Sequence, residues 1–330
     1  MALTRKQKWI TGIVGLFLSL ALVVVLWFGS QAYRWKAPGP STRDTVVLVE
    51  EGSSLTRAAQ SLEKAGVVAD AHAFLKMARW FGSDQPIKAG EYAMPAGVSP
   101  SQVLRLLQEG AVLLRRITVV EGMSAIQIYE RLMGEEMLTG PVAVPEEGSV
   151  LPETYSFVRG ETRQSVLDRM QASMRQTLDE LWAARDPDLP LKTPQEAVIL
   201  ASIVEKETSL KREMPEVAGV YINRLKIGMK LQADPTVIYP ITQGKPLGRR
   251  IRLSDLRAEN AYNTYVIEGL PAGPIANPSR AALKAVLKPA KTKNLYFVAD
   301  GTGGHRFAAT HAEHLRNVAH WRQFRVQNGI

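Results

Sequence analysis

TPQEAVILASIVEKETSL (Thr193–Leu210) and YINRLKIGMKLQADPTVIY (Tyr221–Tyr239) are the stretches around which this chain is organised. The first predicts a helix. Thr193 suits the N-cap, Pro194 the first helical position, and Glu196 the place where a capping box puts a carboxylate. At roughly 100° per residue, Ala197, Leu200, Ala201, Ile203 and Val204 share one broad apolar face. Glu207 falls on that face between Leu200 and Ile203, while Glu205 points to nearly the opposite side. A carboxyl on a buried helix face is costly to ionise, so its pKa should rise. Protonated near neutral pH and aimed into a cleft, it has the property a general acid needs. From the helix alone, a Glu207 that meets Lys206, Lys211 or Arg212 in solvent is the simpler reading.

The phrases around the helix reverse that preference. IVEKET (203–208), YINRL (221–225), GMKLQADPTVIY (228–239), NAYNTY (260–265), GLPAGPIANPS (269–279) and LYFVADGTGGHRF (295–307) follow one another in this order. With them the chain resembles the MltG (YceG-like) family of endolytic murein transglycosylases, enzymes that cut peptidoglycan glycan strands beside the bacterial inner membrane. The resemblance runs from about Val46 to the end and includes the N-terminal anchor. It implies that the second glutamate of the E-K-E triplet, Glu207, is the catalytic acid, the residue the helical face also singles out. Two departures are conservative loop changes: GLPAGPI where the family usually has a second proline, and Ala261 where a proline is common.

The N-terminus, residues 1–8, is short and basic. Trp9 to Gly29 then carries no charged side chain, and about twenty apolar residues suffice to cross a hydrocarbon core. Arg5, Lys6 and Lys8 place the N-terminus in the cytoplasm, and Trp9 and Trp27 suit the interfacial belts. A cleaved signal peptide is the competing reading; the run is long for one, and no clean small-x-small site follows. An uncleaved single-pass anchor puts the remaining chain outside the inner membrane, in the periplasm. Residues 30–43, with KAPGPS at 36–41, read as a linker that releases the ectodomain.

The ectodomain is expected to be α+β: a small LysM-like α/β module at 44–111 and a larger YceG-like catalytic domain at 112–330, behind the single transmembrane helix. In the module, TVVLV predicts a strand, Glu51-Gly52 a turn, and Leu55, Ala58, Ala59 and Leu62 the inner face of a helix; a second helix, a short strand and an amphipathic helix follow. ITVVEGMSAIQIYERLMGEEML (117–138) echoes this, aligning Glu121-Gly122 with Glu51-Gly52 and Leu132 with Leu62. Two copies do not make a solenoid. The helix around Leu167, Met170, Met174, Leu178 and Leu181 reads as core. Tyr155 and Phe157 of LPETYSF read as core packing more readily than as sugar-stacking rings.

The resemblance also nominates substrate contacts: Asn223, Gln232, Asp234, Tyr262, Asn263 and Tyr265. Asp234-Pro235 is equally a strong helix start with Asp as the cap. His305, His311 and His314 show no metal-ligand spacing and read as ordinary polar histidines; no metal and no cofactor are expected. A formal charge of +9 with scattered basic residues argues against nucleic acid. The absence of cysteine removes disulfides and thiolate metal sites. The partners implied are peptidoglycan glycan strands, the membrane through residues 9–29, and synthases or division proteins. The reaction implied is lyase-type cleavage between N-acetylmuramic acid (MurNAc) and N-acetylglucosamine (GlcNAc) that leaves 1,6-anhydro ends and terminates glycan elongation. A lysozyme-like hydrolase and a non-catalytic wall-binding scaffold are the rivals.

Overall fold

The computed structural model describes residues 5–329; residues 1–4 of the expected cytoplasmic tail lie outside the described residues. The architecture is mixed α+β, with three separate two-stranded sheets among the described residues. The chain divides into two compact units, the division falling between Arg115 and Arg116.

The first unit begins with α1 (Arg5–Lys36), whose exposed apolar run is long enough to cross a membrane. β1 (Thr45–Val49), α2 (Leu55–Lys64), α3 (Ala71–Phe81), β2 (Gly90–Met94) and α4 (Pro100–Glu109) follow. β1 pairs antiparallel with β2, Val47 opposite Tyr92. The strand's period of two buries Val47 and Val49 and exposes Val46 and Leu48. Ser54, Asp70 and Ser99 cap the three helices that follow α1, each side chain accepting from an amide in the first turn. Leu62, Phe74, Tyr92, Met94 and Leu107 fill the core.

Residues 30–43 are not a free linker. Helix α1 continues to Lys36, and Trp35 is 5% exposed within the unit's core, its ring 5.9 Å from Phe74. Beyond the helix, the Gly39 amide donates to Gly97 O and the Gly97 amide to Ser41 O. A Cβ on Gly39 would lie 2.5 Å from the Val98 carbonyl oxygen, so the close approach requires glycine. The Pro/Gly composition suggested a tether; the area of one buried tryptophan outweighs it.

The second unit opens with β3 (Arg115–Thr118), α5 (Ala125–Met133), β4 (Thr154–Phe157) and α6 (Arg163–Ala183). β3 and β4 form one sheet. The internal echo is structural: Gly52 and Gly122 both turn at φ 73°, and Leu62 and Leu132 are both fully buried. Tyr155 and Phe157 are core residues, and the Tyr155 hydroxyl donates to Leu151 O at 2.7 Å. Then come α7 (Pro194–Glu207), α8 (Met214–Lys226), α9 (Asp234–Thr242), α10 (Leu253–Arg257), α11 (Arg280–Leu287), the hairpin β5 (Tyr296–Ala299) and β6 (His305–Ala308), and α12 (His311–Asn328). Every residue of α7 from Ala197 to Val204 is buried, among them the predicted apolar face. Each buried Leu, Ile or Val there contributes about 2 kcal/mol, and the helix packs on α8 and α11 as the centre of the core. Helix α8 carries Val217, Val220 and Tyr221 on its buried side. It stops at Lys226, and Gly228 at φ 69° turns the chain away.

Candidate active site

Glu207 is the last residue of α7, where the helix dipole already disfavours a negative charge. Its neighbour across the helix pair is Tyr221 of α8, whose hydroxyl donates to Glu207 Oε1 at 2.9 Å. Arg224, one turn further along α8, shares that face. The three line a cavity of about 360 Å³ together with Gln232, Asp234 and Tyr265. The hairpin and α12 complete its lining with Tyr296, Phe297, His311 and His314.

Burial pushes the Glu207 carboxyl up to about 7. The Tyr221 hydrogen bond pulls against that shift, the Asp234 charge adds to it, and Arg224 opposes it. None of Lys206, Lys211 and Arg212 supplies the solvent ion pair that the helix alone suggested: Lys206 donates to Gly122 O, and Lys211 pairs with Glu121. The Tyr221 hydroxyl is held far above its ordinary pKa by burial and by Glu207, so it remains a donor. Arg224 is buried, its Nε donating to Leu295 O at 2.7 Å and its Nη1 to Leu231 O at 2.6 Å. It clamps the β5 approach to the 227–233 connection and leaves a fixed positive charge beside the acid.

Asp234 does not cap α9. Ala233 holds the cap position, and the Asp234 carboxylate accepts from the Tyr265 hydroxyl at 2.6 Å. The backbone two residues earlier is unusual. Gln232 sits at φ 49°, a left-handed conformation that costs a non-glycine residue of order 1 kcal/mol. Thr264 holds it there, its carbonyl accepting from the Gln232 amide at 3.1 Å and its hydroxyl from the Ala233 amide at 2.9 Å. Thr236 and Thr264 join hydroxyls at 2.8 Å. The NTY phrase thus braces the QAD phrase and frees the Asp234 side chain to face the cavity.

Gln232, Asp234 and Tyr265 therefore stand with Glu207. Asn223, Tyr262 and Asn263 do not line its cavity. The Asn223 amide donates to the carbonyls of Thr292 and Asn294, pinning the segment before β5. Tyr262 packs its ring 5.1 Å from that of Tyr239. Asn263 is buried, giving its amide to the carbonyls of Asp255, Leu256 and Ala258 and accepting from the Tyr265 amide. Asn223 and Asn263 are polar side chains spent on backbone, and the Asn263 bond to the Tyr265 amide holds Tyr265 in place. Glu205 also lies outside the cavity, as the helical face required, but not in open solvent. It is half-buried and its Oε2 accepts from the Ser279 amide at 2.9 Å and hydroxyl at 2.5 Å, Ser279 being the N-cap of α11.

Three further features were not visible in sequence. Two of the histidines read as ordinary belong to the cavity wall. His314 stacks on Tyr296 with centroids 5.1 Å apart, and its Nδ1 is buried without a hydrogen-bond partner. Burial, then His311 and Arg224, lower its pKa, so the ring is neutral near pH 7. His305 Nδ1 lies 2.9 Å from a carboxylate oxygen of Glu213. Among the described residues no cluster of three or more His, Asp and Glu could hold a metal ion. Finally, Glu147 is a second carboxyl raised to about 7 by burial, bonded to the Ala125 amide, the Asn277 amide group and the Tyr239 hydroxyl. Tyr239 lines a separate cavity of about 380 Å³ with Met123, Lys206 and Ile238. Two cavities thus draw on α9, Asp234 in one and Pro235, Ile238 and Tyr239 in the other.

The chain is similar to several known proteins. An endolytic murein transglycosylase of Streptococcus pneumoniae (strain D39) is 30% identical, over 84% of this chain and 58% of its own length. One from Bacillus subtilis (strain 168) is 29% identical over 81% of each. A yceG-like protein from Listeria monocytogenes, known from its crystal structure, is 26% identical, with 84% of this chain and 99% of that chain covered and a TM-score of 0.48. The chain spans a little over half the length of the pneumococcal relative. The YceG-like family matches residues 47–320, most of the chain and all of the residues that build the Glu207 cavity. The chain belongs to the YceG-like family.

Proposed function

We propose that this protein is an endolytic murein transglycosylase, with Glu207 as its acid and base. The observation that carries the reading is a carboxyl with a pKa of about 7 in the wall of a polar cavity. The names of the pneumococcal and Bacillus relatives supply the substrate class. The protonated Glu207 gives its proton to the oxygen of the β-1,4 bond between MurNAc and GlcNAc, and the C1–O4 bond breaks. The positive charge that develops at C1 is stabilised by the Asp234 carboxylate. Glu207, now ionised, removes the proton from the C6 hydroxyl as O6 bonds to C1, which closes the 1,6-anhydro ring. No water enters, and the acid returns to its starting form. A group that must both give and take a proton near neutral pH works best with a pKa near 7. Tyr221 tunes that value and fixes the carboxyl's orientation; Gln232, Tyr265 and His314 offer hydrogen bonds to the sugar.

One observation favours a second reading. Asp234 faces the cavity of Glu207, and two carboxyls beside one bond are the equipment of a hydrolase. Mass spectrometry of muropeptides released by the full-length protein in detergent separates the two. Lytic cleavage leaves anhydro ends, lighter by one water than the reducing ends a hydrolase leaves. Products that carry only reducing ends would overturn the lytic reading, and a protein that binds strands and releases nothing would be a scaffold.

The rest of the chain fits a cut made near the membrane. α1 acts as a single-pass anchor with the N-terminus in the cytoplasm, and the chain beyond it lies on the periplasmic side of the inner membrane. In the first unit the order strand, helix, helix, strand around an antiparallel pair supports a LysM-like module, with a glycan-binding role. Nascent strands are then the natural substrate, and the synthases that extend them the natural partners.

A further inference from the structure

Helix α1 has 32 residues, about 48 Å at 1.5 Å per residue. That exceeds a hydrocarbon core of about 30 Å, so part of the helix must stand outside it. Its apolar stretch ends near Gly29, before Ser30 and Gln31, which puts Trp27 and Phe28 at the level of the outer interfacial belt. A third ring meets them there. Trp80, on α3, lies 5.5 Å from the ring of Trp27 and 5.6 Å from that of Phe28. Lys76 Nζ stands 4.7 Å from the Trp80 centroid and 5.9 Å from that of Trp27. Two turns up α1, Trp35 is buried against Phe74, also on α3.

These two contacts fix the direction of α3. Phe74 sits beside Trp35 and Trp80 beside Trp27, so α3 runs antiparallel to α1 with its C-terminal end aimed at the membrane. The end so aimed is cationic and aromatic: Lys76, Arg79, Trp80 and Phe81. Between Ala71 and Gln85 the sole acidic residue is Asp84. Although packed together, Trp27 and Phe28 each remain 44% exposed and Trp80 40% exposed. Indole rings mixed with basic side chains are the composition of segments that settle at the headgroup boundary, where the ring is half in hydrocarbon and the cation meets anionic lipid. Arg34 and Lys36, exposed in the last turn of α1, add to the same positive rim.

From this we infer that the C-terminal half of α3 docks into the headgroup layer of the outer leaflet, its partner being an anionic lipid surface. The first unit is then seated on the bilayer through Lys76, Arg79 and Trp80, and does not swing on a tether. The inference rests on the proposal that α1 spans the membrane.

The chain contains no cysteine, so single-site labelling needs no background substitutions. Leu20→Cys, His72→Cys and Arg79→Cys are each made in the full chain, spin-labelled, and reconstituted in vesicles of phosphatidylethanolamine and phosphatidylglycerol. Collision with oxygen, which concentrates in lipid, is compared with collision with a nickel chelate, which stays in water. Positions 72 and 79 are exposed on α3, so labels there do not disturb the core. The expected result is a mid-bilayer value at 20, an aqueous value at 72, and at 79 a several-fold higher oxygen-to-nickel ratio than at 72. A label at 79 as water-exposed as the label at 72, with position 20 in the bilayer, overturns the docking and leaves the span intact. An aqueous value at 20 means that α1 does not span, and the docking falls with it. Trp80→Ala, labelled at 79, should return that label toward the aqueous value; no change would show that the aromatic cluster does not hold the dock.

Discussion

The Tyr221 hydroxyl donates to Glu207 Oε1 at 2.9 Å, joining the last residue of α7 to the inner face of α8. This bond opposes the burial that raises the Glu207 pKa, so it sets how far the carboxyl can drift above neutrality. Tyr221→Phe removes the hydroxyl and keeps the ring against Phe297, 5.8 Å away. The expected outcome is a shift of the basic limb of the pH–rate profile to higher pH, with the fold retained. An unmoved limb would show that the phenol does not tune the acid.

Glu207→Gln keeps the volume and the contact with Tyr221 but cannot donate a proton. Cleavage should fall by about two to four orders of magnitude while glycan binding persists. Glu205→Gln should act differently. It weakens the link from α7 to Ser279, which costs about 1–2 kcal/mol of stability, and leaves anhydro-muropeptide release near normal where the protein is folded. Release by Glu207→Gln at wild-type rates would dismiss the assignment.

Stability should depend on pH through the same carboxyl. Glu207 holds its proton more tightly folded than unfolded, its pKa rising from 4.5 to about 7. The associated stability is fully present below about pH 4.5 and is lost as pH climbs through 7, a change of about 3 kcal/mol. Glu147, also raised to about 7, acts in the same window and with the same sign. Urea unfolding at pH 5 and pH 8 should therefore show a drop in the wild type. Glu207→Gln should flatten that drop and be the more stable protein at pH 8; an equal drop in both would rule out a raised Glu207 pKa.

His314 offers a test by geometry. Its unpartnered atom is Nδ1, whose place an asparagine amide can take and a glutamine amide cannot. His314→Phe, which keeps the stack on Tyr296, should raise KM for glycan strands with little change in melting temperature. His314→Asn should restore KM more fully than His314→Gln. Wild-type KM in His314→Phe would remove the histidine from the binding site.

Position on a helix was the part of this site legible in sequence. The periodicity of α7 located Glu207 on a buried face and Glu205 on another, because a regular repeat fixes directions before any contact is known. What the repeat could not supply was which neighbour arrives from elsewhere in the chain. Tyr221 lies fourteen residues beyond Glu207 and His314 over a hundred, and only the packing of α8 and α12 brings them in. Asp234-Pro235 misled for a related reason. The local phrase favours a cap, but Thr264 forces Gln232 into a left-handed turn that rotates the carboxylate toward the cavity. Asn223 and Asn263 look like sugar contacts in sequence because an exposed amide and one spent on loop carbonyls are spelled alike. The linker failed because composition cannot see that one tryptophan, Trp35, has a core to enter.

The cavity draws its walls from residues 207 through 314. A ribosome delivers α7 well before it delivers β5 and α12. Until Tyr296 and His314 arrive, the cavity beside Glu207 lacks part of its wall. The site therefore cannot be completed from α7 to α9 alone: it needs the last segments of the chain, so a truncation before β5 leaves Glu207 beside an open wall.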